Sequence, residues 1–177
     1  MSNDTKGSYD AVDYLIKNNH KKIALIEGNK EFESSIYRKK GYLKALEDNN
    51  IQLNKEYIIS GKYNLQSGYE NMKKLIELEN RPTAVFCLND DIAVGAMKAV
   101  FESGLNVPND ISIIGFDDSN FCNYVTPTLT SVKKDALTMS EYGGVNLLNI
   151  IKNNEVYKEK VYIESKFVLR DSVMALK

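Results

Sequence analysis

The feature that most constrains the fold is a set of short apolar runs with almost no polar alternation. Residues 22–27, 83–88 and 111–114 are dominated by Ile, Val, Leu, Ala and Phe, and each run ends on a turn signal. Four to eight such residues bounded by turn residues read as strands buried on both faces. Between the runs lie helical stripes. The spacing predicts helices over 7–19, 34–49, 66–78, 91–103 and 136–152, and further strands over 57–60, 129–132 and 161–168. Strands alternating with helices imply an α/β fold, a parallel sheet with helices on both faces.

Right-handed crossovers then gather every strand-to-helix loop on one edge of the sheet, where ligands bind in open α/β folds. The stretch 111–124 is central to that edge. Gly115 is expected to let the chain leave the sheet tightly, with Asp117 and Asp118 just beyond it. The other loops bring Ser34, Ser35 and Arg38; Tyr63; Asn89 and Asp90; and Lys133 with Lys134.

Each candidate has a plainer alternative. Asp117 either accepts hydrogen bonds from a ligand or caps the next helix, a role Asp118 can take instead. Asn89 either caps a helix or offers its amide to a ligand. An Asn and an Asp at neighbouring strand ends suit vicinal hydroxyls, which both donate and accept. Arg38 is one of three arginines among 23 basic residues. Its planar fork can hold two oxygens, or it forms a surface ion pair with a nearby Glu. Ser34 precedes it by one helical turn. Tyr63 is a stacking platform for a sugar face or an aromatic filling the core, and Lys134 is the weakest member of the set.

Composition excludes several classes. With 23 basic and 24 acidic residues, net charge −1, the chain has no basic balance for nucleic-acid binding of its own. Lysine pairs such as Lys39-Lys40 and Lys73-Lys74 read as solvated helix faces. Two cysteines 35 residues apart, Cys87 and Cys122, form no metal or redox spacing, and a reduced, cytoplasmic setting fits them. His20, the single histidine, reads as a polar turn residue, so neither a metal nor a cofactor is expected. There is no phosphate-binding glycine loop and no nucleophile elbow, hence no enzyme expected, and no run reaches a membrane span.

Several ordered motifs carry a resemblance. They are Asn19-His20-Lys21-Lys22-Ile23-Ala24; Ser34 with Arg38-Lys39-Lys40-Gly41-Tyr42; Ser67-Gly68-Tyr69; and Asn89-Asp90 with Ala93-Val94-Gly95-Ala96. Val107-Pro108-Asn109-Asp110-Ile111-Ser112, Gly115-Phe116-Asp117-Asp118, Pro127-Thr128-Leu129-Thr130-Ser131-Val132 and Leu169-Arg170 complete them. Together, over residues 3–173, they resemble the effector-binding core of LacI/GalR-type transcriptional repressors, whose fold is that of type I periplasmic binding proteins.

The resemblance implies a two-lobed core closing on a small effector, a sugar or sugar phosphate. It also implies a homodimer, with 91–103 and 121–125 at its interface, though Ala93, Met97, Val100 and Phe101 fit plain core equally, and operator DNA held through an N-terminal helix-turn-helix. By position, Arg38, Asn89 and Asp117 match hydroxyl-binding residues, and Ser34 and Tyr63 match variable effector contacts. Phe32 and Ser34 depart from the family's purine-binding pattern. The chain is expected to be the C-terminal part of such a protein. Residues 3–133 and 160–173 would form the second lobe, and 134–159 would pack on a first lobe missing here. The face of Ala136, Leu137, Gly143, Gly144, Leu147, Leu148 and Ile151 is small and apolar, as such packing requires. A sugar-binding transport protein of the same fold is the alternative. A phospho-acceptor receiver domain is a more distant one.

Overall fold

The computed structural model describes residues 2–153 and 161–176. In chain order the elements are α1 (Asp4–Lys17), β1 (Ile23–Glu27), α2 (Glu33–Asp48), β2 (Ile58–Ser60), α3 (Leu65–Ile76), β3 (Ala84–Cys87), α4 (Asp90–Glu102), β4 (Ser112–Asp117), β5 (Thr130–Lys133), α5 (Ala136–Asn153) and β6 (Lys166–Val168). They form one six-stranded sheet in the order β2-β1-β3-β4-β5-β6. The first five strands are mutually parallel, and β6 is antiparallel to β5.

Because strand side chains alternate between faces, each apolar run feeds two cores. Ile23, Leu25, Phe86, Ile114 and Phe116 pack with Ala11, Val12 and Leu15 of α1 and Tyr42, Ala45 and Leu46 of α2. Ala24, Ile26, Val85, Cys87 and Ile113 pack with Met72 and Leu75 of α3 and Ile92, Ala93 and Ala96 of α4. Met97 and Val100 join this second core, while Phe101 stays partly exposed. This double burial is why the runs carry no polar alternation.

The end of the chain departs from expectation. Only Lys166–Val168 of the expected strand 161–168 pairs along the sheet, and Ile163 makes an isolated bridge with Ser2. The limit is the neighbour. β5 has four residues, and three of them, Ser131, Val132 and Lys133, take all the pairing that β6 makes. Its direction follows from the same place: the chain leaves β5 at the carboxyl edge and re-enters there, without a crossover.

Gly115 also departs from expectation. It lies inside β4, and a Cβ there would run into the Asp90 carboxylate, so glycine serves close packing. The turn out of the strand is made by Asp117 and Asp118, with φ of 108° and 56°. His20 is no surface turn residue. It is 1% exposed, with Nδ1 bonded to the Thr83 hydroxyl and Nε2 to the Met174 carbonyl, each at 3.0 Å.

One helix is uncovered. Leu137, Val145, Leu147, Leu148 and Ile151 of α5 are each more than half exposed, and a Cβ on Gly143 or Gly144 would meet nothing. Among the described residues no helix is long and apolar enough to cross a membrane.

Candidate functional site

The carboxyl edge of the sheet holds a compact charged cluster around Arg38. This side chain leaves α2 and lies 2% exposed, with its guanidinium 3.8 Å from the ring centroid of Phe116. Its Nη2 donates to Asp117 Oδ1 at 3.1 Å, and its Nη1 donates to the carbonyl of Leu88, the last residue before Asn89. Asp4, at the start of α1, accepts from Nε at 2.8 Å. The surface ion pair with a glutamate is therefore replaced by pairs with two aspartates, Asp4 buried and Asp117 half-buried. Lys134 completes the group, its Nζ 2.7 Å from the same Asp117 Oδ1. A planar fork stacked on an aromatic face and bonded along its edges has very little freedom to turn.

Asn89 is the N-cap of α4: its Oδ1 accepts from the Ile92 N–H at 2.9 Å. Capping and ligand contact are not exclusive, because the cap uses only the oxygen. The Nδ2 of Asn89 and the Oδ2 of Asp117 have no partner among the described residues. One free donor and one free acceptor thus stand at the ends of adjacent strands β3 and β4.

A second group lies at the ends of β1 and β2. The Tyr63 hydroxyl is 2.6 Å from Ser35 Oγ and 3.3 Å from Ser34 Oγ. Its ring packs over Gly28 and stacks on Phe32, centroids 6.0 Å apart and planes 8° apart. Phe32 is more than half exposed, so an open aromatic face borders the edge. Arg38, Asp117, Lys134 and Asn89 are thus brought together, with Tyr63 and Ser34 forming a neighbouring polar-aromatic wall.

Asp118 does not cap the following 3₁₀ turn, Asn120–Asn123. The N-cap there is Ser119, and Asp118 instead takes Arg170 Nη2 at 2.7 Å, with Lys133 at 3.8 Å. The turn is held from below by Asp90. Its Oδ1 accepts from the Ser131 hydroxyl at 2.6 Å and its Oδ2 from the Ser119 N–H at 2.7 Å. Burial raises the Asp90 pKa, opposed by these hydrogen bonds. Neither cysteine is available as a thiolate. Burial pushes Cys122 up to about 12 and Cys87 further.

Sequence reasoning missed Asp4, Phe32 as a stacking partner, and Asp90 as a brace. Asp4 precedes the stripe that marks α1, and nothing in local spacing ties it to Arg38. Phe32 carries the one available signal, an apolar residue with no place in either stripe.

A family model, the periplasmic binding protein-like domain, matches residues 12–173. The probable HTH-type transcriptional repressor ExuR of Bacillus subtilis (strain 168) is 48% identical over 176 residues, covering 99% of this chain and 53% of that protein. A sugar-binding transcriptional regulator of the LacI family from Escherichia coli, solved in complex with phosphate, superposes with a TM-score of 0.90 at 34% identity, covering 99% of this chain and 63% of that one. A LacI family regulator from Enterococcus faecium with bound ribose gives 0.92 at 29%, covering 99% and 65%. The chain spans about half the length of the curated relatives it matches. These likenesses are to regulators, and they do not favour the transport-protein reading. The chain belongs to the periplasmic binding protein-like domain family, on the branch of the LacI-type transcriptional regulators.

Proposed function

We propose that this chain is the effector-sensing part of a LacI-type transcriptional repressor, that its effector is a sugar or sugar phosphate, and that it performs no catalysis. The observation that carries the reading is the set of free valences at the carboxyl edge. Asp117 Oδ2 can accept, Asn89 Nδ2 can donate, and two hydrogens of the Arg38 Nη groups remain beyond those given to Leu88 and Asp117. Vicinal hydroxyls, which both donate and accept, satisfy such a set. Lys134, Ser34 and Tyr63 border it, and the Phe32–Tyr63 pair offers an apolar face for a sugar ring. The relatives with phosphate and with ribose support the same ligand class.

The effector is enclosed by a second lobe outside this chain. Residues 3–133 and 160–173 form one lobe, and 134–159 pack on the other; 154–160 lie outside the described residues. The exposed apolar side of α5 supports this division, since a bare stripe of that size in water marks an interface. An effector touching both lobes favours one arrangement of them by its differential affinity. In a homodimer that change resets the spacing of two helix-turn-helix heads on operator DNA. Exposed Phe101 and Tyr124 are available to the dimer face. A protein that reads an operator works in the cytoplasm.

Calorimetric titration of the full-length protein with a panel of sugars and sugar phosphates tests this, with Asp117→Ala and Arg38→Ala beside the wild type. The expected result is one saturating ligand, lost in both variants. Saturation that survives both substitutions, or no ligand in the panel, would overturn the sugar reading.

A further inference from the structure

We infer that Asp4 is a positioning residue for the effector site: it aims the Arg38 fork without touching the ligand. The inference rests on the sugar reading for its purpose, but not for its geometry. A guanidinium has five N–H groups in one plane. In Arg38, Nε–H goes to Asp4, one Nη1 hydrogen to the Leu88 carbonyl and one Nη2 hydrogen to Asp117. The Phe116 ring covers one face. Two hydrogens remain, one on each Nη.

Asp4 fixes the Nε side of the fork. Its carboxylate comes from α1, whereas Leu88 and Asp117 come from the ends of β3 and β4. Without it, Arg38 would be anchored only through the Nη groups that a ligand needs, and the fork could turn its Nε–H outward. Asp4 is itself 7% exposed, and its Oδ1 has no hydrogen-bond partner among the described residues. Arg38 is therefore the one charged partner this buried carboxylate has among them. A buried ion pair is a weak source of stability and a good source of fixed geometry. Asp4 bonds Arg38 at Nε and leaves the Nη groups to other partners, so it acts on whatever those groups hold by fixing Arg38.

The chain has three arginines, Arg38, Arg81 and Arg170, so a spectrum of Nε-labelled arginine carries three Nε–H signals. Arg170 is the internal control, its Nε bonded to Asn123 Oδ1 at 2.9 Å. In the wild type the Arg38 Nε–H should exchange with solvent about tenfold or more slowly than that of Arg81, as a charge-assisted buried bond requires. Asp4→Ala should bring Arg38 to the Arg81 rate and leave Arg170 unchanged. Retained protection of Arg38 in this variant overturns the inference. If Arg170 loses protection too, Asp4→Asn decides, because it keeps the shape and removes the charge. A rise in Arg38 exchange relative to Arg170 supports the inference, and an unchanged ratio overturns it. The measurement uses no effector, so its failure removes the role of Asp4 and leaves the sugar reading standing. A failed sugar titration removes the effector and leaves Asp4 holding Arg38.

Discussion

Replacing Arg38 with Met, of similar length and no charge, isolates the energetics of the buried cluster. The side chains of Arg38 and Asp4 are 2% and 9% exposed, so removing the cation leaves a carboxylate without water or counter-charge. Breaking one side of a buried pair costs about 3–5 kcal/mol. Asp117 suffers less, because Lys134 remains 2.7 Å from its Oδ1. The Leu88 carbonyl also loses its donor. For a chain of this size each kcal/mol moves the melting temperature by about 2–4 °C, so Arg38→Met should melt roughly 6–20 °C below wild type. Pairing it with Asp4→Leu removes the stranded charge. The remaining loss is then mainly the unsatisfied Leu88 carbonyl, about 1–3 kcal/mol. The double variant should therefore be more stable than Arg38→Met alone by about 2 kcal/mol, and the cycle, with Asp4→Leu as its fourth corner, gives the coupling between the two residues. Urea titrations followed by circular dichroism give the four free energies, with slopes checked for constancy. An Arg38→Met protein within about 1 kcal/mol of wild type would refute the reasoning, as would a double variant no more stable than Arg38→Met.

Three further outcomes follow from other parts of the fold. Burial lowers the His20 pKa below its ordinary 6.5, the Met174 carbonyl opposing, so the unfolded chain binds the proton first. The stability due to neutral His20 is complete above pH 6.5 and is lost as pH falls from there toward the folded value. Thermal melts between pH 7.5 and 5.5 should show a fall that His20→Gln flattens, and equal slopes in the two proteins would contradict it. Gly115→Ala pushes a methyl into the Asp90 carboxylate and should cost about 1–3 kcal/mol, and an unchanged urea midpoint would show that the packing is looser. Asp117→Gly relieves a residue held at φ 108°, where strain is about 1–3 kcal/mol, so stability should change little while sugar binding is lost. A large drop in the midpoint would show that its ion pairs outweigh the strain.

The layered architecture was legible because burial on both faces leaves a direct mark on composition. A strand such as Ile23–Glu27 between two helical layers has no solvent side to place polar residues on. The exposure of α5 was expected only through the resemblance, which places its small and apolar side against a lobe outside this chain. Features that depend on a neighbour were not legible. The alternation over 161–168 is a valid strand pattern, but pairing stopped where β5 stopped. Gly115 read as a turn because the residue that requires it, Asp90, is 25 positions away and reaches it only through the sheet. His20 read as a polar turn residue because its partners, Thr83 and Met174, lie 63 and 154 positions away in the sequence.

The site divides along the same line. Topology alone brings Arg38, Asn89, Asp117 and Lys134 to one edge, since each follows a parallel strand or begins the helix after one. Topology does not say how their charges are spent. Arg38 read as a free fork, yet three of its five N–H groups are already committed to Asp4, Leu88 and Asp117. Asp117 read as an open carboxylate, yet one oxygen already serves two cations. What remains for a ligand is a remainder: Oδ2 of Asp117, the two Nδ2 hydrogens of Asn89 and two hydrogens on Arg38. That remainder is fixed before any ligand arrives, because Phe116 and Asp4 hold the guanidinium, and Asp90 holds the turn after β4 through Ser119 and Ser131. On the proposed reading, binding orders few side chains here, and the ordering cost of closure falls on the movement of the two lobes. Under the proposed two-lobed reading, a rigid half-site contributes nearly the same contacts in either arrangement, and the difference in affinity that drives the switch then comes from the opposite wall.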